Sequence, residues 1–393
     1  MIGPFAFTPK GTVSVRAFFA ARALVKRGHR VAILMPPYDN LADSGREWTQ
    51  DGVRLINMVI RRVGPTTPIT VAWRMAQQAR ALQPDVIHIF KPIGYSGLAG
   101  QFLAGLFRAP VVLDHDDWEG RGGWADINPY PPPWRRFFVY QETDMIRRAR
   151  AITVASRTLQ TQVWGLGIKP ERVFYVPNGP DESLRQRPEE ALPRRAQLRA
   201  ELGVGNAPLA IYVGHIPYGH DLDQALDALE RVLRQVPDVR LAILGTGDGL
   251  PLLRADVQRR GLERVVILTG WVEHSRAADY LAAADLAIYP YRDSLINRSK
   301  CSAKIIEYMA LGLPIVASRV GQNVEYIEHG TSGLLAEPGD VAEGFAQMML
   351  AVLADPQKAQ AMGAAARQRV WSKFDWDRLA ETVEQAYQDA RSK

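Results

Sequence analysis

The stretch Asn297-Arg-Ser-Lys-Cys-Ser-Ala-Lys-Ile-Ile-Glu-Tyr-Met-Ala-Leu-Gly-Leu-Pro-Ile-Val-Ala-Ser318 decides the reading of the fold. Its centre predicts a helix over 302–311, stopped by Gly312 and followed at once by an apolar, β-branched strand. A helix that feeds a buried strand through a tight turn is the repeating unit of a parallel sheet. Arg298, Lys300 and Lys304 are expected to crowd the first turn of this helix, where the macrodipole disfavours cations. Backbone N–H groups together with three cations suit an anion such as a phosphate. Lys304 and Glu307 are three residues apart and share a face. Glu307 would accept from a ribose diol while Lys304 meets a phosphate. The same residues also read as a surface ion pair with two solvated basic neighbours.

On either side of this segment, short apolar runs alternate with helical patterns. In the first half they cover 31–35, 53–60, 86–90, 111–113, 151–155 and 173–176; in the second, 209–213, 241–244, 265–268, 286–289, 314–317 and 333–335. Buried runs separated by helices read as parallel sheets, and two series imply two doubly wound α/β domains. The stretch 181–195, rich in Arg, Glu and Pro, reads as the linker between a domain over 1–180 and one over 196–374. Gly11 and Thr12 precede an amphipathic helix, so a strand should stand before them, yet only Met1 and Ile2 precede Gly3-Pro4. Either that strand is stunted or the natural start lies upstream.

Composition narrows the function. Of 393 residues, 48 are Lys or Arg and 42 Asp or Glu, a net charge of +6 that suits a phosphate-bearing ligand but is too diffuse to argue nucleic acid. Cys301 is the one cysteine, which excludes an internal disulfide and a Cys-rich metal site. No apolar run approaches the roughly 18 residues of a membrane span, and the start has no secretory pattern. The expected location is the cytoplasm.

The ordered set Tyr212-Val-Gly214, Leu244-Gly-Thr-Gly-Asp248, Leu268-Thr-Gly-Trp-Val272, Leu286-Ala-Ile-Tyr-Pro290, Glu307 to Ser318, Gly321-Gln-Asn-Val-Glu325 and Gly330-Thr-Ser-Gly-Leu-Leu335 resembles the donor-binding half of glycosyltransferase family 4. Gly28-His-Arg-Val31, Pro84-Asp-Val-Ile-His88 and Val176-Pro-Asn-Gly179 are similar to its N-terminal half. The resemblance implies the GT-B fold: two Rossmann-like domains across a cleft, the first completed by a terminal helix over 375–391. It implies a retaining transferase that takes a UDP- or GDP-linked sugar in the C-terminal domain and a sugar, glycan or lipid-linked acceptor in the N-terminal one. Neither metal nor cofactor is needed. It implies donor contacts at Gly11 in the loop Lys10-Gly-Thr12 and at Gly245, Gly270, Trp271, Lys304, Glu307 and Glu325; the residues themselves add Arg298 and Lys300, and His215 and His220 stand where the family contacts the diphosphate. It gives His115, Lys304 and Glu307 roles in catalysis.

Three positions depart from the family. An Arg and a Lys that usually hold the diphosphate are His215 and His220, and a Glu eight residues before the one matching Glu307 is Ser299. Arg298, Lys300 and Lys304 are expected to take over part of the missing charge; a non-catalytic relative is the alternative. In Leu113-Asp-His-Asp-Asp-Trp118, His115 follows a strand and matches a histidine near acceptor and sugar. A metal site from Asp114, His115, Asp116 and Asp117 is the rival reading, and strand alternation opposes it by sending neighbours to opposite faces. His88 reads equally as a structural histidine or an acceptor contact. Trp134-Arg-Arg-Phe-Phe-Val139, with Arg147, Arg148 and Arg150, suits an anionic lipid surface at the inner face of the membrane. It also suits an ordinary helix that packs Phe137 and Phe138 inward.

Overall fold

A computed structural model describes residues 1–8, 11–38, 40–217, 221–339 and 341–392. The chain forms two compact units, one of Met1–Asn178, Arg298–Cys301 and Asp375–Lys393, the other of Gly179–Asn297 and Ser302–Phe374.

The first unit holds β1 (Ala32–Met35), β2 (Glu47–Gln50), β3 (Val53–Asn57), β4 (Ile87–Phe90), β5 (Val111–His115), β6 (Ala151–Val154) and β7 (Val173–Tyr175). They pair as β1-β3-β2 and β4-β5-β6-β7, parallel except for β2. Ile2 stitches the two groups together through parallel bridges to Leu34 and Ile89. Its N–H donates to His88 O at 2.8 Å, and its carbonyl accepts from the Phe90 N–H at 2.9 Å. One bridging residue thus does the work of the stunted first strand, and strand order reverses on either side of it. β2 has no counterpart in the sequence reading. Glu47-Trp-Thr-Gln50 is an exposed antiparallel edge with no apolar run to reveal it.

The main core of this unit joins Ile2, Leu34, Ile89, Val111, Leu113 and Ile152 to the helix Thr67–Ala81 through Val71, Ala72 and Met75. The terminal helix Trp376–Ser392 closes another side, with Trp376, Leu379, Ala380 and Val383 packed on Ala20, Ala23 and Leu24.

The second unit is one parallel sheet of β8 (Leu209–Val213), β9 (Arg240–Leu244), β10 (Val266–Gly270), β11 (Leu286–Tyr289), β12 (Ile315–Ser318) and β13 (Leu334–Ala336). Its order, β10-β9-β8-β11-β12-β13, reverses between β8 and β11. In open α/β sheets ligands sit at such a reversal, beyond the carboxyl ends of the strands. The stretch 181–195 is built into this unit rather than left as a tether. It forms short helical turns that bury Leu184 and Ala191. Its charges are spent on neighbours: Arg187 on Asp279 at 2.8 Å and Glu189 on Arg367 at 2.6 Å.

The helix Pro356–Lys373 crosses the end of the helix Ala303–Ala310 at two glycines. A Cβ on Gly363 would lie 2.0 Å from Gly312 O, and Gly312 itself has φ 71°. Gly363→Ala should destabilise the protein by about 1–3 kcal/mol, as overpacking does. Gly165→Ala, with no atom within 4 Å, should shift stability by under about 1 kcal/mol. Urea titration of both variants checks the difference.

Candidate functional site

At the strand reversal of the second unit, backbone passes against backbone. A Cβ on Gly245 would lie 1.8 Å from Gly214 O, and one on Gly247 would lie 2.2 Å from Ile216 O and 2.7 Å from His215 Cε1. These glycines are therefore more than turn formers: they let the loop after β9 lie on the loop after β8. The Gly245 N–H donates to Gly270 O at 2.9 Å. Gly270 ends β10 at a register shift with φ 73°, and Trp271 beside it is 73% exposed. His215 is exposed. His220 and Lys10 lie outside the described residues.

The helix Ala303–Ala310 is capped by Ser302, whose hydroxyl accepts the Lys304 N–H at 3.1 Å. Tyr308 ties it to the end of β8, its hydroxyl accepting the Val213 N–H at 2.9 Å and donating to Val213 O at 3.3 Å. Tyr289 donates to Ser302 Oγ. On this fixed helix, Lys304 Nζ lies 3.1 Å from Glu307 Oε2, with the lysine a quarter exposed and the glutamate buried. Asp221, on the loop after β8, accepts from Asn297 Nδ2 at 2.9 Å and pairs with Arg292 at 3.2 Å, both beyond β11. Glu325 sits on the short helix Asn323–Tyr326, its carbonyl accepting from Arg369 at 3.0 Å.

Only Lys304 of the three expected cations occupies the first turn of this helix. Arg298 belongs to the separate short helix Leu295–Ser299, and Lys300 lies between the two, against the single helical start that the sequence predicts. The break comes from the segment 298–301, which clusters with the first unit. Ser299 O accepts from the Ser156 hydroxyl at 2.7 Å, and the Ser299 hydroxyl donates to Gln162 Oε1 at 3.2 Å. Cys301 O accepts from Asn178 Nδ2 at 2.7 Å. Lys300 Nζ stands 5.1 Å from the centre of the Trp124 ring.

In the first unit, alternate residues of β5 face opposite ways, and each meets its own partner. Asp114 faces Arg16, which binds it through Nε at 2.6 Å and Nη2 at 2.7 Å. Arg16 also donates to Asn178 Oδ1 at 3.0 Å and Val176 O at 2.8 Å, and both members of the ion pair are 2% exposed. Thr153 donates to Asp114 Oδ2 at 2.6 Å and lies 3.2 Å from His88 Nε2, while His88 Nδ1 lies 2.9 Å from the Tyr387 hydroxyl. Burial, with Arg16 adding to it, holds the His88 imidazole well below its ordinary pKa. His88 is a structural residue here.

His115, on the other face, is enclosed, with Nε2 2.9 Å from Glu142 Oε1. Beyond β5, Lys91 Nζ gathers Asp117 at 2.8 Å, Glu119 at 2.9 Å and Asp116 at 3.3 Å. Thr12 donates to Asp116 Oδ2 at 2.9 Å. Gly11 donates its N–H to Ser14 Oγ at 3.0 Å. Burial alone would lower the Lys91 pKa, but the three carboxylates hold it well above its ordinary value. Burial pushes the Glu119 carboxyl up to about 7 against the pull of Lys91. The Asp-His-Asp-Asp run is thus spent on Arg16, Lys91 and Glu142. Among the described residues no group of three His, Cys, Asp or Glu could hold a metal ion.

The sequence reading missed Arg16, Lys91, Glu119 and Glu142. Arg16 had a signal: it lies on the stripe of Val13, Ala17 and Ala20, where a buried cation demands a partner. Glu142 had one too, one turn before Met145 and Ile146 on a buried face.

Removing one partner from a buried ion pair strands the other. Arg16→Met should cost about 3–5 kcal/mol, and Arg16→Met with Asp114→Leu should recover part of it, measured by a denaturation cycle. A second consequence concerns pH. Glu119 binds its proton more tightly folded than unfolded, so the folded state holds more protons between about 4.5 and 7, and stability falls as pH rises through that window. At about 1.4 kcal/mol per unit, this comes to at most roughly 3–4 kcal/mol. Glu119→Gln should flatten the fall, read from melting temperatures at pH 5 and 8.

Two family models match the chain: the glycosyl transferase 4-like domain over residues 11–179 and glycosyl transferases group 1 over 207–355. The glycogen synthase of Mycobacterium tuberculosis is 28% identical over 318 residues, 79% of this chain and 70% of that one. A GDP-mannose-dependent alpha-(1-6)-phosphatidylinositol monomannoside mannosyltransferase of the same organism is 30% identical over 208 residues, 52% of this chain and 53% of its own. The crystal structure of Anabaena HepE in complex with UDP-glucose has a TM-score of 0.75 at 20% identity, over 98% of both chains. That of sucrose-phosphate synthase from Thermosynechococcus elongatus has 0.74 at 20%, again over 98% of both. These likenesses establish the GT-B fold, and with both family models matched in order, the chain belongs to glycosyltransferase family 4.

Proposed function

We propose that the chain moves a hexosyl unit from a UDP- or GDP-linked donor to a sugar, glycan or lipid-linked hydroxyl, with retention of configuration and without a metal. The observation that carries this reading is the Lys304–Glu307 pair on a capped helix beside the strand reversal of the second unit. Negative charge grows on the diphosphate as the sugar bond breaks, and a fixed ammonium next to a helix N-terminus stabilises it where it forms. Glu307, buried and adjacent, accepts from the ribose hydroxyls. Gly245, Gly270 and the exposed Trp271 lie on neighbouring strand ends and would meet the nucleoside and sugar. His115 is the acceptor-side residue. The name of the mannosyltransferase relative specifies GDP-mannose, and the HepE crystal structure holds UDP-glucose.

A second reading has its own support. Ser299, at the position where the family pattern usually has a carboxylate, is 1% exposed and bonded to Gln162, so it has no charge to offer a sugar. That favours a relative that binds nucleotide without turnover. Peripheral membrane contact at the cytoplasmic face is supported by Trp134 at 48%, Tyr140 at 56% and Ile127 at 60% exposure beside the exposed Arg135 and Arg136. Among the described residues no helix is long and apolar enough to cross a membrane.

A saturation-transfer NMR screen against UDP-, GDP- and ADP-sugars tests donor binding and turnover together once acceptors are added. Lys304→Ala should weaken binding of the matching nucleoside diphosphate by about 1.5–3 kcal/mol, the range for a charged hydrogen bond. Glu307→Gln should weaken nucleoside binding with the fold intact. Wild-type affinity in both variants would put the donor elsewhere. EDTA should leave turnover unchanged; loss restored by one divalent ion would defeat the metal-free mechanism.

A further inference from the structure

We infer that Glu142 is a positioning residue for His115, and that the pair presents the imidazole Nδ1 as a hydrogen-bond acceptor to a substrate hydroxyl. The inference rests on the glycosyl-transfer reading above. His115 ends β5 at the carboxyl edge of the sheet, and Glu142 comes from the helix Pro132–Arg148. The two side chains are 0% and 1% exposed. Glu142 Oε1 lies 2.9 Å from His115 Nε2 and also accepts the Glu119 N–H at 2.8 Å. An oxygen already serving as acceptor for a backbone N–H meets the ring as acceptor too, so Nε2 carries the hydrogen. A neutral ring then has its lone pair on Nδ1.

His115 Nδ1 has no hydrogen-bond partner, and neither has Glu142 Oε2. Buried polar atoms are almost always paired, and two orphans in one dyad call for a ligand or a strong reason for their absence. Both lie under one cover. The Trp118 ring stands edge-on to His115, with centroids 5.9 Å apart at 87°. A Cβ on Gly120 would fall 2.2 Å from Glu142 Oε2, and one on Gly123 would fall 2.2 Å from Trp118 O. Gly122, between them, has φ 77°. Three glycines in four positions let the segment 118–123 lie flat on the dyad. A hydroxyl reaches Nδ1 when this segment lifts. Glu142 keeps the ring in the right tautomer while it does, as an outer partner does for a functional histidine.

The test is a two-bond proton–nitrogen correlation spectrum of the full-length ¹⁵N-labelled protein, with His115 assigned by its loss in His115→Gln. The wild type should show the Nε2–H tautomer. Glu142→Ala should spread the ring over both tautomers. Glu142→Gln, whose amide oxygen still accepts, should keep one. With UDP-glucose and GDP-mannose as probes, nucleoside diphosphate release should show kcat at least about tenfold lower in Glu142→Ala, with KM for the donor unchanged and kcat largely rescued in Glu142→Gln. An Nδ1–H ring in the wild type, or a tautomer unmoved by Glu142→Ala, overturns the proposal, as does unaltered turnover. If neither probe is turned over, that counts against the transfer reading alone, and the tautomer result still decides whether Glu142 sets the ring.

Discussion

The guanidinium of Arg16 donates four hydrogen bonds at 2% exposure, and the carboxyl edge of the first unit's sheet is arranged around it. It stands in a π-turn, Val13–Ala17, where the Phe18 N–H reaches back to Val13 O and the helix widens by one residue. From there it holds Asp114 on β5 and the residues Val176 and Asn178, where the chain leaves for the second unit. Asp114 passes the constraint on through Thr153 to His88, and His88 to Tyr387 on the terminal helix. The first helix, the middle of the sheet and the last helix are therefore joined by one buried polar column. A column of this kind is costly if any member loses its partner and rigid when all are satisfied. With Asp114 committed on one face of β5, His115 is committed to the other, which is why the two never compete for one ligand.

The second unit reaches a defined edge by different means. Glycines allow backbone to touch backbone, and tyrosines close the gaps: Tyr308 clamps the end of β8, and Tyr212 stacks on Tyr289 at 6.4 Å. Burial pushes the Tyr291 and Tyr308 hydroxyls well above their ordinary pKa values, so they remain neutral donors. The position of Lys304 then follows from the backbone, since the helix that carries it is pinned at Ser302 and at Tyr308.

Legibility followed burial. Twelve of the thirteen strands stand where apolar runs were read, because a parallel strand covered on both faces is written as a continuous apolar run. β2 escaped because an exposed edge strand carries no such run. The stretch 181–195 looked like a linker because polar composition reports solvent and pairing alike, and here its charges are paired. The helix Ala303–Ala310 was legible at Lys304 and Glu307, whose spacing is local. Arg298 and Lys300 were misplaced because what separates them from the helix is long-range: Asn178 and Ser156 draw the segment 298–301 into the first unit. Glu142 and Lys91 were invisible for the same reason, each being defined by a partner more than 20 residues away.

The departures from the family also take on physical sense. Position 299 is buried among Ser156 and Gln162, and both its hydroxyl and its carbonyl are used. A carboxylate there would be taken out of solvent, a cost that the serine hydroxyl avoids. An imidazole at 215 offers one directed donor where a guanidinium would bring a fixed charge and a fork of donors. On the proposed reading the diphosphate then depends more on Lys304 and the helix dipole, both set by the backbone of one helix. Any change that tilts that helix, such as loss of the Tyr308 clamp, would act on donor binding directly.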